Sequence, residues 1–336
     1  MHYSRQMNLS RQMNQIARRT FVASSAIAVV SGGLMTDLSA AQPATTDSTG
    51  DSRSPIRFCL NTSTLRGQKL SVPDQIKVCA DAGYDAIEPW MRDLYQYVEQ
   101  GGKLADLRKQ LEDANLTVES AIGFAKWIID DENERKAGLE EARRDMDLLK
   151  QIGGKRIAAP PIGAHTEPGP PLDVIAGRYR DLLVLGAEMG VTPQLELWGF
   201  SKTLSRLGEL AYVATAAEHP DACVLPDFYH IYKGGSRFEG LGMIEASRMH
   251  VFHMNDYPSD PPRETIQDAN RVFPGDGVCP LPEIIANLIR SGFVGVFSLE
   301  LFNPEYWQRD ALQVAKEGLK KSKAVVQKAH GLLQSS

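Results

Sequence analysis

Cysteine and histidine are both scarce in this chain, with four and seven among 336 residues. The cysteines, at 59, 79, 223 and 279, form no C-x-x-C pair, and each lies in or beside an apolar element. Their spacing offers no disulfide scaffold, which leaves them as small core residues. Positive charge is not in excess either. A net charge of −5 argues against a nucleic-acid partner, which needs a basic face. No glycine-rich phosphate loop follows the first strand-like run, and no apolar run is long enough to span a bilayer comfortably. What remains is a chain 43% hydrophobic, suited to one large core and to a neutral small molecule such as a sugar.

The N-terminus reads as a separate segment. Arg18 and Arg19 precede an apolar stretch from Phe21 to Met35, and Ser39 and Ala41 follow as small residues of a cleavage site after Ala41. That order predicts an export signal over 1–41, and the Arg-Arg-x-Phe-Val run is similar to the twin-arginine type. The expected location is therefore the periplasm, with no stable membrane insertion after cleavage. "SRQMN" occurs twice ahead of the paired arginines, at Ser4 and Ser10, and polar residues 42–55 predict a disordered linker. Twin-arginine export carries proteins already folded, often around a cofactor.

From Ile56 one alternation repeats. Short β-rich runs occupy 57–63, 84–90, 116–122, 156–162, 192–198, 222–228, 250–256 and 295–301. Between them apolar residues recur at helical spacing, as in Leu139, Ala142, Met146 and Leu149, in Ile175, Tyr179, Leu182 and Gly186, or in Leu312, Ala315, Leu319 and Ser322. Glycines in "AGY", "MGV" and "SGF" stand where a left-handed helix cap is wanted. Eight β–α units over 56–330 predict a single (β/α)8 barrel, an α/β fold. A doubly wound open sheet is the competing architecture and usually has fewer strands.

A barrel turns strand position into chemistry, because its active sites gather at the C-terminal strand ends. Side chains alternate along a strand, so Gln194 and Glu196 share one face of strand five and Ser298 and Glu300 share one face of strand eight. Asp227 ends strand six on the face of Cys223 and Leu225, and His253 shares a face with Val251. With the large apolar residues facing the helices, Glu196, Asp227, His253 and Glu300 point inward from four consecutive strands. A buried carboxylate without a partner costs several kcal/mol, so three of them converging on an imidazole predict a divalent cation. His230, three residues beyond Asp227, is expected to reach over the rim toward a substrate.

The motifs "LELWG", "LPDFYH", "VFHMND", "RVFPGDGVCPL" and "SLELF", in that order, resemble the xylose isomerase-like TIM-barrel superfamily, and within it the ketose 3-epimerase and inosose isomerase/dehydratase branch. The resemblance covers about residues 56–327. It implies that Glu196, Asp227, His253 and Glu300 bind Mn²⁺, Mg²⁺, Co²⁺ or Zn²⁺, and that His230 and Arg263 hold the substrate. It further implies an acid/base pair, Glu196 and Glu300. One would remove the proton beside a ketose carbonyl, through an enediolate, and the other would return it. Return to the opposite face gives epimerisation, return to the adjacent carbon gives aldose–ketose isomerisation, and loss of a β-leaving group gives a lyase.

Plainer alternatives stand beside these roles. The two glutamates could be salt-bridged rim residues, Asp227 a helix cap, and His253 or His230 structural. Glu88 is divided between the substrate pocket and a buried ion pair, and Asp256 between orienting a ligand or Arg263 and beginning a loop. Trp198 and Trp127 could wall a sugar or simply pack, and "PGDG" at 274–277 reads as a turn. The leading expectation is a metal-dependent sugar isomerase or epimerase, with a possible homo-oligomer. The alternatives are a lyase or dehydratase on keto-inositols or 3-keto-glycosides, an endonuclease IV-like hydrolase and a non-catalytic sugar-binding barrel. The endonuclease needs many histidines at strand ends, and only His230 and His253 are suitably placed.

Overall fold

The computed structural model describes residues 56–334; the expected export signal (1–41) and linker (42–55) lie outside the described residues. Each of the eight expected runs contains a strand. These are β1 Arg57–Asn61, β2 Ala86–Glu88, β3 Thr117–Val118, β4 Arg156–Ala159, β5 Thr192–Glu196, β6 Val224–Leu225, β7 Val251–Met254 and β8 Val296–Leu299. All pairings between these strands are parallel. One sheet runs β3-β2-β1-β8-β7 and the other β4-β5-β6. Ala158 N donates to Ala121 O at 2.9 Å across one seam. Parallel bridges Val224–Met249 and Asp227–His253 close the other. With β1 beside β8 the ring is complete, so the fold is a barrel rather than an open doubly wound sheet.

The helices are α1 Val72–Ala82, α2 Met91–Glu99, α3 Leu104–Asp113, α4 Glu132–Gln151, α5 Leu172–Met189, α6 Leu207–Ala216, α7 Phe228–Lys233, α8 Leu281–Arg290, α9 Pro304–Trp307 and α10 Ala311–Gln334. Their limits follow from local chemistry. Ser71 accepts from Asp74 N at the start of α1, and Asp131 accepts from Glu134 N at the start of α4. Gly83 and Gly190 close α1 and α5 at φ 87° and 75°, a conformation in which a Cβ is disfavoured. One unit departs from the simple alternation. Strand β6 leads only to the short α7 and then to 3₁₀ turns Phe238–Met243 and Ala246–Arg248.

The apolar faces divide as alternation requires. Leu195, Leu197, Phe252, Met254, Phe297, Leu299 and Leu301 join the large core between strands and helices. Ile122, Ala158, Leu225 and Val251 form a separate small cluster, on the same strand faces as the inward-pointing residues. Burying each large side chain contributes about 1.5–3 kcal/mol, so the outer layer supplies a frame stable enough to hold unfavourable charges inside. Among the described residues no helix is long and apolar enough to cross a membrane.

Candidate active site at the mouth of the barrel

Four strand ends supply the centre. Glu196 is the last residue of β5, and Glu300 follows β8 by one residue. His253 lies within β7, and Asp227 follows β6 and caps α7. None is more than 4% exposed. Asp227 uses one oxygen for each of its two expected roles. Oδ1 accepts from His230 N at 2.8 Å, which completes the helix cap and leaves Oδ2 turned to the centre. His253 Nδ1 lies 3.3 Å from Glu300 Oε2, 3.7 Å from Asp227 Oδ2 and 3.7 Å from Glu196 Oε1. Ligand atoms of Asp227, His253 and Glu300 all fall within 4.8 Å of one another. Nδ1 itself is buried without a hydrogen-bond partner among the described residues. An unpartnered imidazole nitrogen facing three carboxylates is a donor set that fits a divalent cation.

The opposite nitrogen of His253 is anchored. Nε2 lies 3.1 and 3.3 Å from the two oxygens of Glu88, which also accepts from Ser298 Oγ at 2.7 Å and Asn61 Nδ2 at 2.9 Å. A carboxylate behind a histidine sets the ring's orientation and directs its other nitrogen forward. Glu88 is 0% exposed and forms the buried ion pair behind His253. His253 strengthens its acidity: burial would raise the Glu88 pKa, but the imidazole pulls it below the usual range.

Arg271 crosses the rim and was not singled out by sequence. It is 1% exposed. Nη1 donates to Asp227 Oδ2 at 3.0 Å and to Glu300 Oε2 at 2.8 Å, and Nη2 lies 3.0 Å from His230 Nε2. Its charge divides the acids. Burial would raise Asp227, but Arg271 outweighs it and holds the group below its usual value. Glu300 stays raised by burial although His253 and Arg271 oppose it. Among the described residues Glu196 has no arginine partner. Burial, then its neighbouring carboxylates Glu300, Asp227 and Glu88, push it up to about 8 against the pull of His253. His253 is raised by Glu300 and Glu88 despite burial. His230 is held down at about 4 by burial and Arg271, so its imidazole is neutral near pH 7.

The other expected site residues are placed as follows. Arg263 is exposed, pairs with Glu264 and stays out of the ring; the loop after β7 brings Arg271 there instead. Asp256 faces backbone, accepting from Tyr257 N and Cys279 N on Oδ1 and from Gly275 N and Gly277 N on Oδ2. It ties down the turn at 274–277, with both oxygens accepting from backbone amides. Gly277 is needed there, since a Cβ would sit 2.3 Å from Asp256 Oδ1. Trp127 is buried and donates to Pro160 O, which makes it a packing residue. Trp198 does line the mouth, stacked on Phe200 at 5.4 Å between ring centroids and 6.3 Å from Phe124. Trp90 and Phe302 complete this apolar collar. Asn61, like Arg271, escapes sequence reading. Its amide bonds both Glu88 and Glu300, and an asparagine ending a strand carries no distinguishing signal.

Residues 76–324 match the family model described as xylose isomerase-like TIM barrel. The chain is 25% identical over 278 residues to an inosose isomerase of Bacillus velezensis, covering 81% of this chain and 98% of that protein. It is 22% identical over 252 residues to a 3-dehydroshikimate dehydratase of Pseudomonas aeruginosa, covering 74% of this chain and 39% of that one. A similar solved structure, the crystal structure of IolI protein with a binding zinc atom, superposes with a TM-score of 0.74 at 24% identity, covering 81% of this chain and 99% of that one.

Proposed function

The chain belongs to the xylose isomerase-like TIM-barrel family, and on that premise we propose that it is a divalent-metal-dependent isomerase or epimerase of a keto-sugar or keto-inositol. The observation that carries this reading is the unpartnered Nδ1 of His253 facing Glu196, Asp227 and Glu300. The inosose isomerases among its relatives support the substrate class. Asp227, His253 and Glu300 would hold the ion, and Glu196, outside that cluster of ligand atoms but 3.7 Å from His253 Nδ1, would stand beside it; a similar solved structure is described with a bound zinc atom. When bound there, a divalent cation polarises a carbonyl and its neighbouring hydroxyl and acidifies the C–H between them.

The chain's own residues handle the proton. Glu300 is pinned by Arg271 Nη1 and by Asn61 Nδ2 at 3.2 Å. Glu196 has no side-chain hydrogen bond among the described residues and is free to turn toward a substrate carbon. One carboxylate takes the α-proton and the other delivers it to the opposite face or the adjacent carbon. Neutral His230 and the Arg271 guanidinium are positioned for substrate oxygens, while the collar of Trp90, Phe124, Trp198 and Phe302 excludes water. The dehydratase relatives favour a second reading with the same first step, in which the abstracted proton leaves with a β-hydroxyl as water.

Export remains part of the proposal, supported by Arg18, Arg19 and the apolar stretch after them. N-terminal sequencing of the periplasmic protein checks it, and an intact N-terminus on a cytoplasmic product would refute it. The central test is a screen of free ketoses, inososes and 3-keto-glycosides followed by NMR in D₂O. Chelation with EDTA should abolish α-proton exchange and Mn²⁺, Co²⁺, Mg²⁺ or Zn²⁺ should restore it. Exchange that survives chelation sinks the metal-dependent reading.

A further inference from the structure

A cleft of about 560 Å³ opens on the same side of the barrel as the carboxylate ring, between the loop after β1 and helix α2. Its walls include Arg66, Lys69, Gln75, Arg92 and Asp93. Trp90 and Asn61 link it to Glu300 of the catalytic centre. The Arg66 guanidinium carbon lies 3.9 Å from the Trp90 ring centroid and 5.1 Å from that of Phe302. Trp90 Nε1 donates to Asn61 Oδ1 at 3.0 Å, and the Asn61 amide reaches Glu300.

The charges of the cleft do not balance. Asp93 is the acid among its lining residues, and it is already engaged by Arg92 at 2.8 Å and by Gln75 Nε2 at 3.2 Å. Neither Arg66 nor Lys69 pairs with a carboxylate among the described residues. Arg66 Nη2 is buried and lacks any hydrogen-bond partner there, as does Oε1 of the 5%-exposed Gln75. Burial and then the repulsion of Arg92 lower the Arg66 pKa, against the pull of Glu300, Asp93 and Asp268. A guanidinium keeps its proton regardless, and a charged donor shut away from water without an acceptor is unfavourable. Stacking on Trp90 offsets this only in part.

We infer that this cleft is a second substrate subsite, which takes an oxyanion substituent of the keto-sugar whose reacting carbon lies between Glu196 and Glu300. The inference rests on the isomerase reading above and narrows its substrate to a carboxylated or phosphorylated one. The planar fork of Arg66 matches two oxygens of such a group, and Lys69, exposed at the edge, adds a point charge. The volume is that of a small-molecule site rather than of a single ion, which leaves room for the carbons that carry the anion.

Calorimetric titration of the metal-loaded protein with D-fructose, D-fructuronate and D-fructose 6-phosphate tests this, in the wild type and in Arg66→Gln and Lys69→Gln. At least one anionic sugar should bind tenfold or more tightly than fructose, and its identity separates a carboxylate from a phosphate. That ratio should collapse toward one in Arg66→Gln and fall about threefold in Lys69→Gln. Because the readout is a ratio, general loosening of the mouth cancels. Equal affinity for all three sugars, no binding of either anionic sugar, or a ratio unchanged in both variants overturns the subsite. Proton exchange of the bound sugars in D₂O is scored separately. Exchange without anion preference removes the subsite alone, and anion preference without exchange removes the proton-transfer reading while leaving the subsite.

Discussion

Buried acids stand at both ends of this barrel, and their surroundings differ. At the floor Glu119, 2% exposed, meets Arg57 at 2.6 Å, Lys155 at 3.1 Å and Arg156 at 3.3 Å. Arg57, ahead of Lys155, overrides the effect of burial and holds its pKa at about 2. At the mouth, Glu88, Glu196, Asp227 and Glu300 share one guanidinium and the imidazole of His253. Glu119 is compensated by three of the protein's own cations, so the floor is a structural ion cluster. At the mouth four carboxylates face two cationic side chains, and the excess is relieved by holding protons, since Glu196 and Glu300 are both raised. A cation that arrives from outside can take the place of those protons.

The sharpest break in this comparison comes from the mouth. Glu300→Gln should lower α-proton exchange by about 10²–10⁴-fold, the range for losing a positioned acid or base. The same NMR assay on Glu119→Gln should read within twofold of wild type. An equal loss in both variants would mean that the two ends are not functionally distinct.

Metal addition comes next. A divalent ion at about one hundred times its Kd should stabilise the chelated protein by about 2.7 kcal/mol. Calorimetry should detect this in the wild type and in Glu119→Gln, but not in Asp227→Asn. Glu88→Gln should weaken metal affinity by about 10–100-fold, since its carboxylate orients His253 without touching the ion site. Titration of the apo-protein with Co²⁺ measures it, and an unchanged Kd would show that the ring needs no such support.

The smallest effect belongs to the floor. Glu119 has a folded pKa below its unfolded value, so its contribution is present above about pH 4.5 and fades as pH falls toward 2. With Arg57 and Lys155 partly exposed and screened, Glu119→Gln should cost about 1–2 kcal/mol at pH 7. Urea unfolding should show that difference closing between pH 4.5 and 2, and a pH-independent difference would point to packing instead.

The alternating pattern along the chain is enough to place all eight strands and to sort their faces. Leu195 and Glu196, or Leu299 and Glu300, must point opposite ways whatever surrounds them. Strand order and inward direction then bring Glu196, Asp227, His253 and Glu300 to one end of one cylinder. These are local consequences of side-chain period and barrel closure, and they need no knowledge of loops.

Arg271 and Glu88 belong to the other class. Two arginines follow strand seven, and although Arg271 opens the "RVFPGDGVCPL" motif, residue type alone does not say whether 263 or 271 turns inward. The choice depends on the path of a long loop, which Asp256 ties to backbone amides at its far end. Glu88 ends its strand much as Glu196 does, yet one faces the back of a histidine and the other its front. Which side of an imidazole a carboxylate meets is a matter of depth and stagger across strands distant in sequence, and that geometry exists only once the barrel has closed.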